Sequence, residues 1–178
     1  MDLMMLAERE NTLLGQDFLT WLWYKSEIRD GMFELENGER FMLYMEQRMS
    51  VQGGDGENVD TATVNSASGD MTEVLYGLRT GKKVTRCQLK MEIDENLWQV
   101  QVKAEDFTLS GLKTPKVDMK DEEGDDPDAK FLEKIYLIEK CIALFDCVFK
   151  EFITTRISTA LWKEEVAKFQ SWLREGEK

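Results

Sequence analysis

The residues best suited to chemistry are cations and amides concentrated between Arg79 and Lys103. This stretch holds six basic and three acidic residues, in a chain whose formal net charge is −12. Lysine and arginine neutralise phosphate oxygens, and glutamine donates hydrogen bonds to phosphates and sugars without reading the base sequence. The pattern indicates a site for a phosphate backbone, with the candidate residues Lys82, Lys83, Arg86, Gln88, Lys90, Gln99, Gln101 and Lys103.

The same residue types have a simpler interpretation, because lysine, arginine and glutamine are also what an exposed strand carries. The negative charge of the rest of the chain argues against a general polyanion-binding surface, so any contact with nucleic acid must be local. An acidic interaction protein, presenting a DNA-like negative surface to a protein partner, is the alternative function that the composition leaves open.

Catalysis finds little support in the sequence. The chain contains no histidine, which excludes catalytic triads and metal sites that use this side chain. Between Gly77 and Thr85, Tyr76 and Lys83 stand where a P-loop needs its first glycine and its hydroxyl. The acidic residues of 118–128 lack the spacing of a calcium loop. We therefore expect no enzyme activity, no cofactor and no metal site.

A β-hairpin is needed to position the candidate residues. Between Val84 and Ile93 the sequence alternates with period two, with Thr85, Cys87, Leu89, Met91 and Ile93 on the apolar side and Lys82, Arg86, Gln88 and Lys90 on the polar side. After a turn at 94–96 the alternation resumes from Trp98 to Ala104. A loop of two or four residues pairs apolar with apolar positions. The two-residue register places Arg86 opposite Lys103, Gln88 opposite Gln101 and Lys90 opposite Gln99.

Other elements precede this hairpin. The run 14–28 is apolar on nearly every side, which predicts a buried helix that ends at Asp30-Gly31. Residues 33–35 and 40–51 flank Asn37-Gly38, which predicts a second hairpin whose two central residues have positive φ. Within the Gly-rich and Asp-rich stretch 52–70 only 61–64 reads as a strand, with loop on both sides and a flexible tip at 53–56.

The C-terminal third reads as an acidic linker, 113–127, followed by helices over 127–175. Asp126-Pro127-Asp128 is a strong helix start. Apolar residues then recur with 4-3 spacing, which predicts a packed seam in the core or at a dimer interface, formed by Phe131, Ile135, Ile138, Ile142, Phe145, Phe149 and Phe152. A second stripe at Trp162, Val166, Phe169 and Leu173 is out of phase with the first, which predicts a break, a bend or a change of packing partner near 154–160.

Together these features predict a single α+β domain over 1–178: an antiparallel sheet of β-hairpins, a buried N-terminal helix and a long C-terminal helical segment. The cysteines Cys87, Cys141 and Cys147 lie on apolar faces without C-x-x-C spacing, which favours buried thiols in a reducing cytoplasm. No apolar run approaches the length of a membrane span, so we expect no membrane association.

The order of features resembles the C-terminal half of the bacterial recombination-associated protein RdgC family. Residues 80–89, TGKKVTRCQL, resemble its A-G-K-x-V-T-x-L-x-L segment, and Phe18-Leu19-Thr20-Trp21-Leu22-Trp23 resembles its L-T-x-W entry. The sequence 70–78 occupies the place of a short helix, and Asp128-Ala129-Lys130-Phe131 resembles the D-A-x-F start of a final helix. The family's N-terminal half has no counterpart here, and Thr63-Val64-Asn65-Ser66-Ala67 stands where lysines and an amide are expected.

The resemblance implies a nucleoid-associated protein that binds duplex DNA without sequence preference. It also implies a ring-shaped homodimer around DNA and restraint of the recombinase RecA. The eight candidate residues then become the expected DNA contacts.

Overall fold

A computed structural model describes residues 3–53, 60–65, 72–117 and 127–175. The helices are α1 (Leu3–Ile28), α2 (Thr72–Arg79), α3 (Pro127–Ile157) and α4 (Thr159–Glu175). The strands are β1 (Met32–Glu34), β2 (Arg40–Gly53), β3 (Asp60–Asn65), β4 (Lys83–Ile93), β5 (Asn96–Lys103) and β6 (Leu109–Lys113). The predicted α+β class, with an N-terminal helix and C-terminal helices, is confirmed.

The strands form one antiparallel sheet organised around the 14-residue β2. Its order is β1-β2-β4-β5-β6, and β3 pairs with the C-terminal part of β2 on the edge that β1 uses further along. The pairing of β2 with β4 crosses the intervening β3 and α2, so no local turn specifies it. This pairing carries the predicted hairpin into the middle of the sheet.

The hydrophobic core lies between one face of the sheet and the helices. Helix α1 is sandwiched there, which explains why residues around its whole circumference are apolar: Phe18, Leu19 and Leu22 are fully buried. The Phe18 ring contacts Phe145 and Phe149 of α3 at centroid distances of 5.5 Å and 5.1 Å. Burying each such side chain stabilises the fold by roughly 1.5–3 kcal/mol.

The hairpin of β4 and β5 has the two-residue loop, Asp94-Glu95, and Asp94 takes a left-handed φ of 51°. Its register is the one derived above for that loop. The placement of Thr85 on the apolar side is wrong. The ladder with β2 shifts between Ser50 and Val51, so Val84 is fully buried while the half-buried Thr85 donates its hydroxyl to the Ser50 carbonyl. A β-bulge, invisible to a period-two pattern, reverses the phase.

The predicted hairpin of β1 and β2 forms, but its turn differs from the expected type. Gly38 has a φ of 84°, while Asn37 is not among the residues with positive φ. The Gly38 amide donates to the Leu35 carbonyl at 2.9 Å, and the Leu35 amide donates to the Glu39 carbonyl at 2.8 Å. This is a three-residue loop in which only the glycine is left-handed. The Asn37 side chain accepts a hydrogen bond from the Glu39 amide at 3.0 Å.

Strand β6 lies at 109–113, where the sequence predicted none, and it overlaps the predicted linker only at residue 113. All five of its residues are exposed, and an exposed edge strand gives little apolar alternation to detect. The predicted strand at 61–64 and the short helix at 70–78 correspond to β3 and α2. The Gly-rich tip at 54–56, the acidic residues 118–126 and the proposed N-cap Asp126 lie outside the described residues.

Helix α3 begins at Pro127, and the chain breaks at Ser158 before α4, as predicted. Of the two predicted locations for the α3 seam, the core of the fold and a dimer interface, the core does not hold its first half. Phe131 and Ile142 are 60% and 47% exposed, and Ile135 and Ile138 are each 36% exposed. The core is reached instead by a neighbouring row of side chains: Leu137, Cys141, Leu144 and Val148. Both rows are apolar, so spacing alone could not choose between them.

Ion pairs fix α3 against the rest of the fold. Arg29 at the end of α1 makes two hydrogen bonds to Glu151, of 3.0 Å and 2.6 Å. Near the β1–β2 turn, Lys140 contacts Glu39 at 2.7 Å and lowers the pKa of that carboxyl. Within the described residues no helix is long and apolar enough to cross a membrane.

Candidate functional site

Six of the eight candidate residues share one face of the sheet. We call this surface the polar sheet face, and it comprises Arg86, Gln88, Lys90, Gln99, Gln101 and Lys103. The strand register sets them directly opposite one another in three pairs. Their neighbours Cys87, Leu89 and Val100 are buried beneath the helices, so the pleat directs the six away from the helices.

Lys82 and Lys83 do not belong to this face. Both line a cavity on the helix side of the sheet, together with Trp21 of α1 and Trp162 of α4. The Lys83 ammonium contacts the Asp17 carboxylate, which also accepts a hydrogen bond from Arg156 Nε at 3.1 Å. The β-bulge and the end of the strand redirect both lysines, so the candidate set divides into two separate surfaces.

Glu46 of β2 lies at the centre of the polar sheet face, and sequence reasoning missed it. Gln88 Nε2 donates to Glu46 Oε2 at 2.8 Å, and Gln99 Nε2 lies 3.2 Å from each carboxylate oxygen. Lys90 Nζ is 3.9 Å from Glu46 Oε1. The carboxylate therefore orders the amides and offsets part of the positive charge. Only the pairing of β2 with β4 brings it here, and no local sequence signal specifies that pairing.

The cations at the two ends of the face differ in their partners. Lys103 Nζ contacts Glu105 at 2.6 Å, and this hydrogen bond, with the charge of Glu105, raises the pKa of Lys103. Lys113 of β6, which was also missed, donates to Gln99 Oε1 at 3.2 Å. The Arg86 side chain is exposed. Among the residues whose side chains the structure describes, Arg86, Lys90, Lys103 and Lys113 thus supply four cations on or beside the face.

A polar cleft of about 530 Å³ adjoins Arg86 and Lys103. It lies where the N-terminal half of α1 passes the end of β5, and its wall is made largely of hydroxyl and amide groups: Thr12, Gln16, Ser50, Gln52 and Thr85. Such groups, beside two cations, match the donors that proteins use for phosphate and sugar oxygens. α1 can approach so closely because Gly15 faces the Ala104 carbonyl; a Cβ at Gly15 would lie 1.9 Å from that oxygen.

The site offers hydrogen-bond donors and positive charge rather than reactive groups. Cys87 and Cys141 are buried, and burial raises the pKa of each thiol, that of Cys141 to about 11. Thiols held protonated in this way are poor nucleophiles and poor metal ligands. Among the residues that the structure describes, no cluster of three or more cysteine or acidic side chains is arranged to hold a metal ion.

Protein-family models, curated proteins and solved structures all give no match to this chain. The resemblance to the RdgC family therefore rests on the sequence motifs alone.

Proposed function

We propose that this protein binds duplex DNA without sequence preference through the polar sheet face, in association with DNA recombination at the nucleoid. The observation that carries the proposal is the three-pair register, Arg86 with Lys103, Gln88 with Gln101 and Lys90 with Gln99, on a face that the helices leave open. A rigid row of cations and amides matches a phosphate backbone and carries no pattern for distinguishing bases.

The same contacts imply weak and salt-sensitive binding. Glu46 sits among the cations, and the chain as a whole carries a net charge of −12, which repels DNA outside the site. Non-specific complexes have dissociation constants on the order of 10⁻⁶–10⁻⁴ M at physiological salt. We expect a value in the weaker part of that range, strengthening steeply as salt is lowered.

The test is a titration with two duplexes of unrelated sequence at two salt concentrations. Arg86→Glu with Lys90→Glu is the informative variant, because Arg86 is exposed, Lys90 is half-buried and neither packs in the core. We expect equal affinity for the two duplexes in the parent and loss of binding in the variant.

A matched control carries the same change of charge on the other side of the molecule. Lys134 of α3 and Lys163 of α4 are exposed, and Lys134→Glu with Lys163→Glu should retain most of the binding. Equal losses in the two double variants would mean that only net charge matters. No binding by the parent at low salt would remove DNA from the proposal altogether.

The proposal includes a homodimer that uses the exposed first half of the α3 seam. We call Phe131, Ile135, Ile138 and Ile142 the α3 stripe; each is at least 36% exposed. Its 4-3-4 spacing reads the same in both directions. An antiparallel second copy of α3 therefore sets Phe131 against Ile142 and Ile135 against Ile138, with every apolar residue matched.

Restraint of a RecA-type recombinase would follow from occupation of the same DNA. Added protein should then slow recombinase loading on duplex DNA, and excess DNA should relieve the effect. The Arg86→Glu, Lys90→Glu variant should not slow loading. If this variant also slows recombinase loading, or if excess DNA does not relieve the slowing, the protein contacts the recombinase directly instead.

A second candidate, an acidic protein-interaction module, is favoured by one specific observation. Glu46 lies inside the polar sheet face and already accepts hydrogen bonds from the side-chain amides of Gln88 and Gln99. A module of this kind binds a basic DNA-binding protein through its remaining acidic surface. The Arg86→Glu, Lys90→Glu variant would then bind that protein partner with an affinity equal to or higher than that of the parent protein. Its affinity for DNA should be lost.

A further inference from the structure

A cavity of about 450 Å³ lies between α1, α4 and the turn that joins α2 to β4. Aromatic side chains line much of it: Trp21 and Tyr24 from α1, and Trp162 and Phe169 from α4. Pockets of roughly 300–1,000 Å³ with apolar walls and a few polar groups are typical of small-molecule sites. The cavity is on the helix side of the sheet, away from the polar sheet face.

Three cationic residues of one short segment line this cavity: Arg79, Lys82 and Lys83. Arg79 is anchored, because its Nε donates to the Leu173 carbonyl on α4 at 3.0 Å. Lys82 is positioned by a close passage along Gly53, where a Cβ would lie 2.8 Å from Lys82 Cγ. The first part of the lysine stem therefore runs along the end of β2, at the edge of the cavity.

The two carboxylates of the lining are both held by cations from outside it. Asp17 is contacted by Arg156 at 3.1 Å as well as by Lys83. Glu165 is 8% exposed, contacts the Lys25 ammonium, and accepts a hydrogen bond from Trp21 Nε1 at 3.1 Å. Among the described residues that line the cavity, three are cations and two are carboxylates, although acids outnumber bases in the chain as a whole.

We infer that this cavity binds a small organic anion with a flat aromatic body. The aromatic walls favour a planar apolar body through stacking and edge contacts, and the Arg79–Lys83 side supplies charge for an acidic group. A cationic ligand is disfavoured, because Glu165 and Asp17 already have their counter-ions. Tyr24 adds a neutral hydroxyl donor, since burial and the nearby Glu165 raise the pKa of its phenol.

Two probes of nearly the same shape separate charge from apolar bulk. 1-Anilinonaphthalene-8-sulfonate carries a negative charge, and N-phenyl-1-naphthylamine has the same rings without it. We expect one equivalent of the sulfonate to bind, about tenfold more tightly than the amine. Binding should quench tryptophan fluorescence, because Trp21 and Trp162 line the cavity.

Three variants test whether the probes bind in this cavity. Lys82→Glu should weaken sulfonate binding by about tenfold or more and leave amine binding within about twofold. Lys163→Glu, the same change on the exposed side of α4, should change neither. Val166→Trp should fill the cavity and exclude both probes, and its folding is checked by the thermal melt.

Several results would overturn the inference: no sulfonate bound by the parent, equal affinity for the two probes, or unchanged sulfonate affinity in Lys82→Glu. If Val166→Trp fails to fold, Lys82→Glu decides alone. The outcome is independent of DNA binding, because Arg86→Glu with Lys90→Glu alters only the opposite face and should leave sulfonate affinity unchanged.

Discussion

Glu46 is the residue whose charge most directly limits the proposed DNA site. It accepts hydrogen bonds from Gln88 and Gln99 and lies 3.9 Å from Lys90 Nζ. Glu46→Gln removes one negative charge from the face and keeps an oxygen for the neighbouring amides. We expect DNA affinity at low salt to rise about fivefold, corresponding to roughly 1 kcal/mol.

The gain should shrink as salt is raised, because the interaction removed is a screened repulsion. Glu164→Gln on α4 deletes an acid on the helix side and serves as the control, with little expected change. Unchanged or weaker binding by Glu46→Gln would show that DNA does not approach this face.

Gly15 is a second residue with a large expected effect, here on stability. Replacing glycine by alanine within a helix usually stabilises it by roughly 0.5–1 kcal/mol. At Gly15 the new Cβ would meet the Ala104 carbonyl oxygen at 1.9 Å, so α1 must move from the end of β5. We expect a net loss of about 1–3 kcal/mol in the free energy of unfolding, measured by urea denaturation.

Gly77 of α2 provides the comparison. A Cβ there would lie 3.0 Å from a methyl group of Val51, a contact that small side-chain shifts can relieve. Gly77→Ala should therefore cost less than Gly15→Ala. A stabilised Gly15→Ala would mean that α1 does not approach Ala104 closely.

At the scale of elements, the β4–β5 hairpin was the most predictable part of the chain. Alternation and the short turn allowed two strand registers, one with a two-residue loop and one with a four-residue loop. The observed register is the one with the two-residue loop. The bulge at Thr85 and the position of Glu46 were not predictable, because both depend on pairing with β2. That partner is set by packing of the whole sheet rather than by a neighbouring turn.

Helix α3 shows a different limit. Its existence, its start at Pro127 and an irregularity near 154–160 followed from local signals, and α3 ends at Ile157 within that range. Its buried side did not, since Ile142 and Leu144 are both apolar but only Leu144 is fully buried. A helix with two apolar rows has more than one face that could meet the core, and the position of α1 decides which one does.

This contrast gives a paired prediction. Leu144→Asp should unfold the protein, because an unpaired charge in the core costs several kcal/mol. Ile142→Asp, at a side chain 47% exposed, should leave the melting temperature of the monomer nearly unchanged. If the α3 stripe is the dimer contact, light scattering should report a dimer for the parent and a monomer for Ile142→Asp at micromolar concentration.

The two measurements have separate consequences. A monomeric parent, with or without DNA, would eliminate the dimer while leaving the fold intact. Unfolding by Ile142→Asp would show instead that this row of α3 is buried within one chain.

For the whole molecule, the absence of histidine from the sequence removes the side chain that usually titrates near neutral pH. Carboxyl groups titrate well below neutrality and lysines well above it. The buried thiols of Cys87 and Cys141 have raised pKa values and also stay protonated near neutrality. We therefore expect the urea midpoint to stay constant between about pH 6 and 8, to within about 0.5 kcal/mol in the free energy of unfolding.

Stability should fall on both sides of that plateau, for different reasons. Lys140 lowers the pKa of Glu39 from its usual 4.5, so the stabilisation from this group is present above that value and is lost as the pH falls through the folded-state pKa. Burial raises the pKa of Cys141 from 9.0 to about 11, so its contribution is present below pH 9 and is lost as the pH rises toward 11.

Two variants assign the two limbs of this profile. Glu39→Gln should make the acid limb shallower and leave the alkaline limb unchanged. Cys141→Ala should make the alkaline limb shallower, with the buried Cys87 thiol still contributing to it, and leave the acid limb unchanged. DNA affinity should also be constant from about pH 6 to 8, because the chain has no histidine and ordinary carboxyl and lysine side chains do not titrate in that range. A urea midpoint or a DNA affinity that changes between pH 6 and 8 would require an ionisable group with a pKa near neutrality. The charges at the site would then differ from those described.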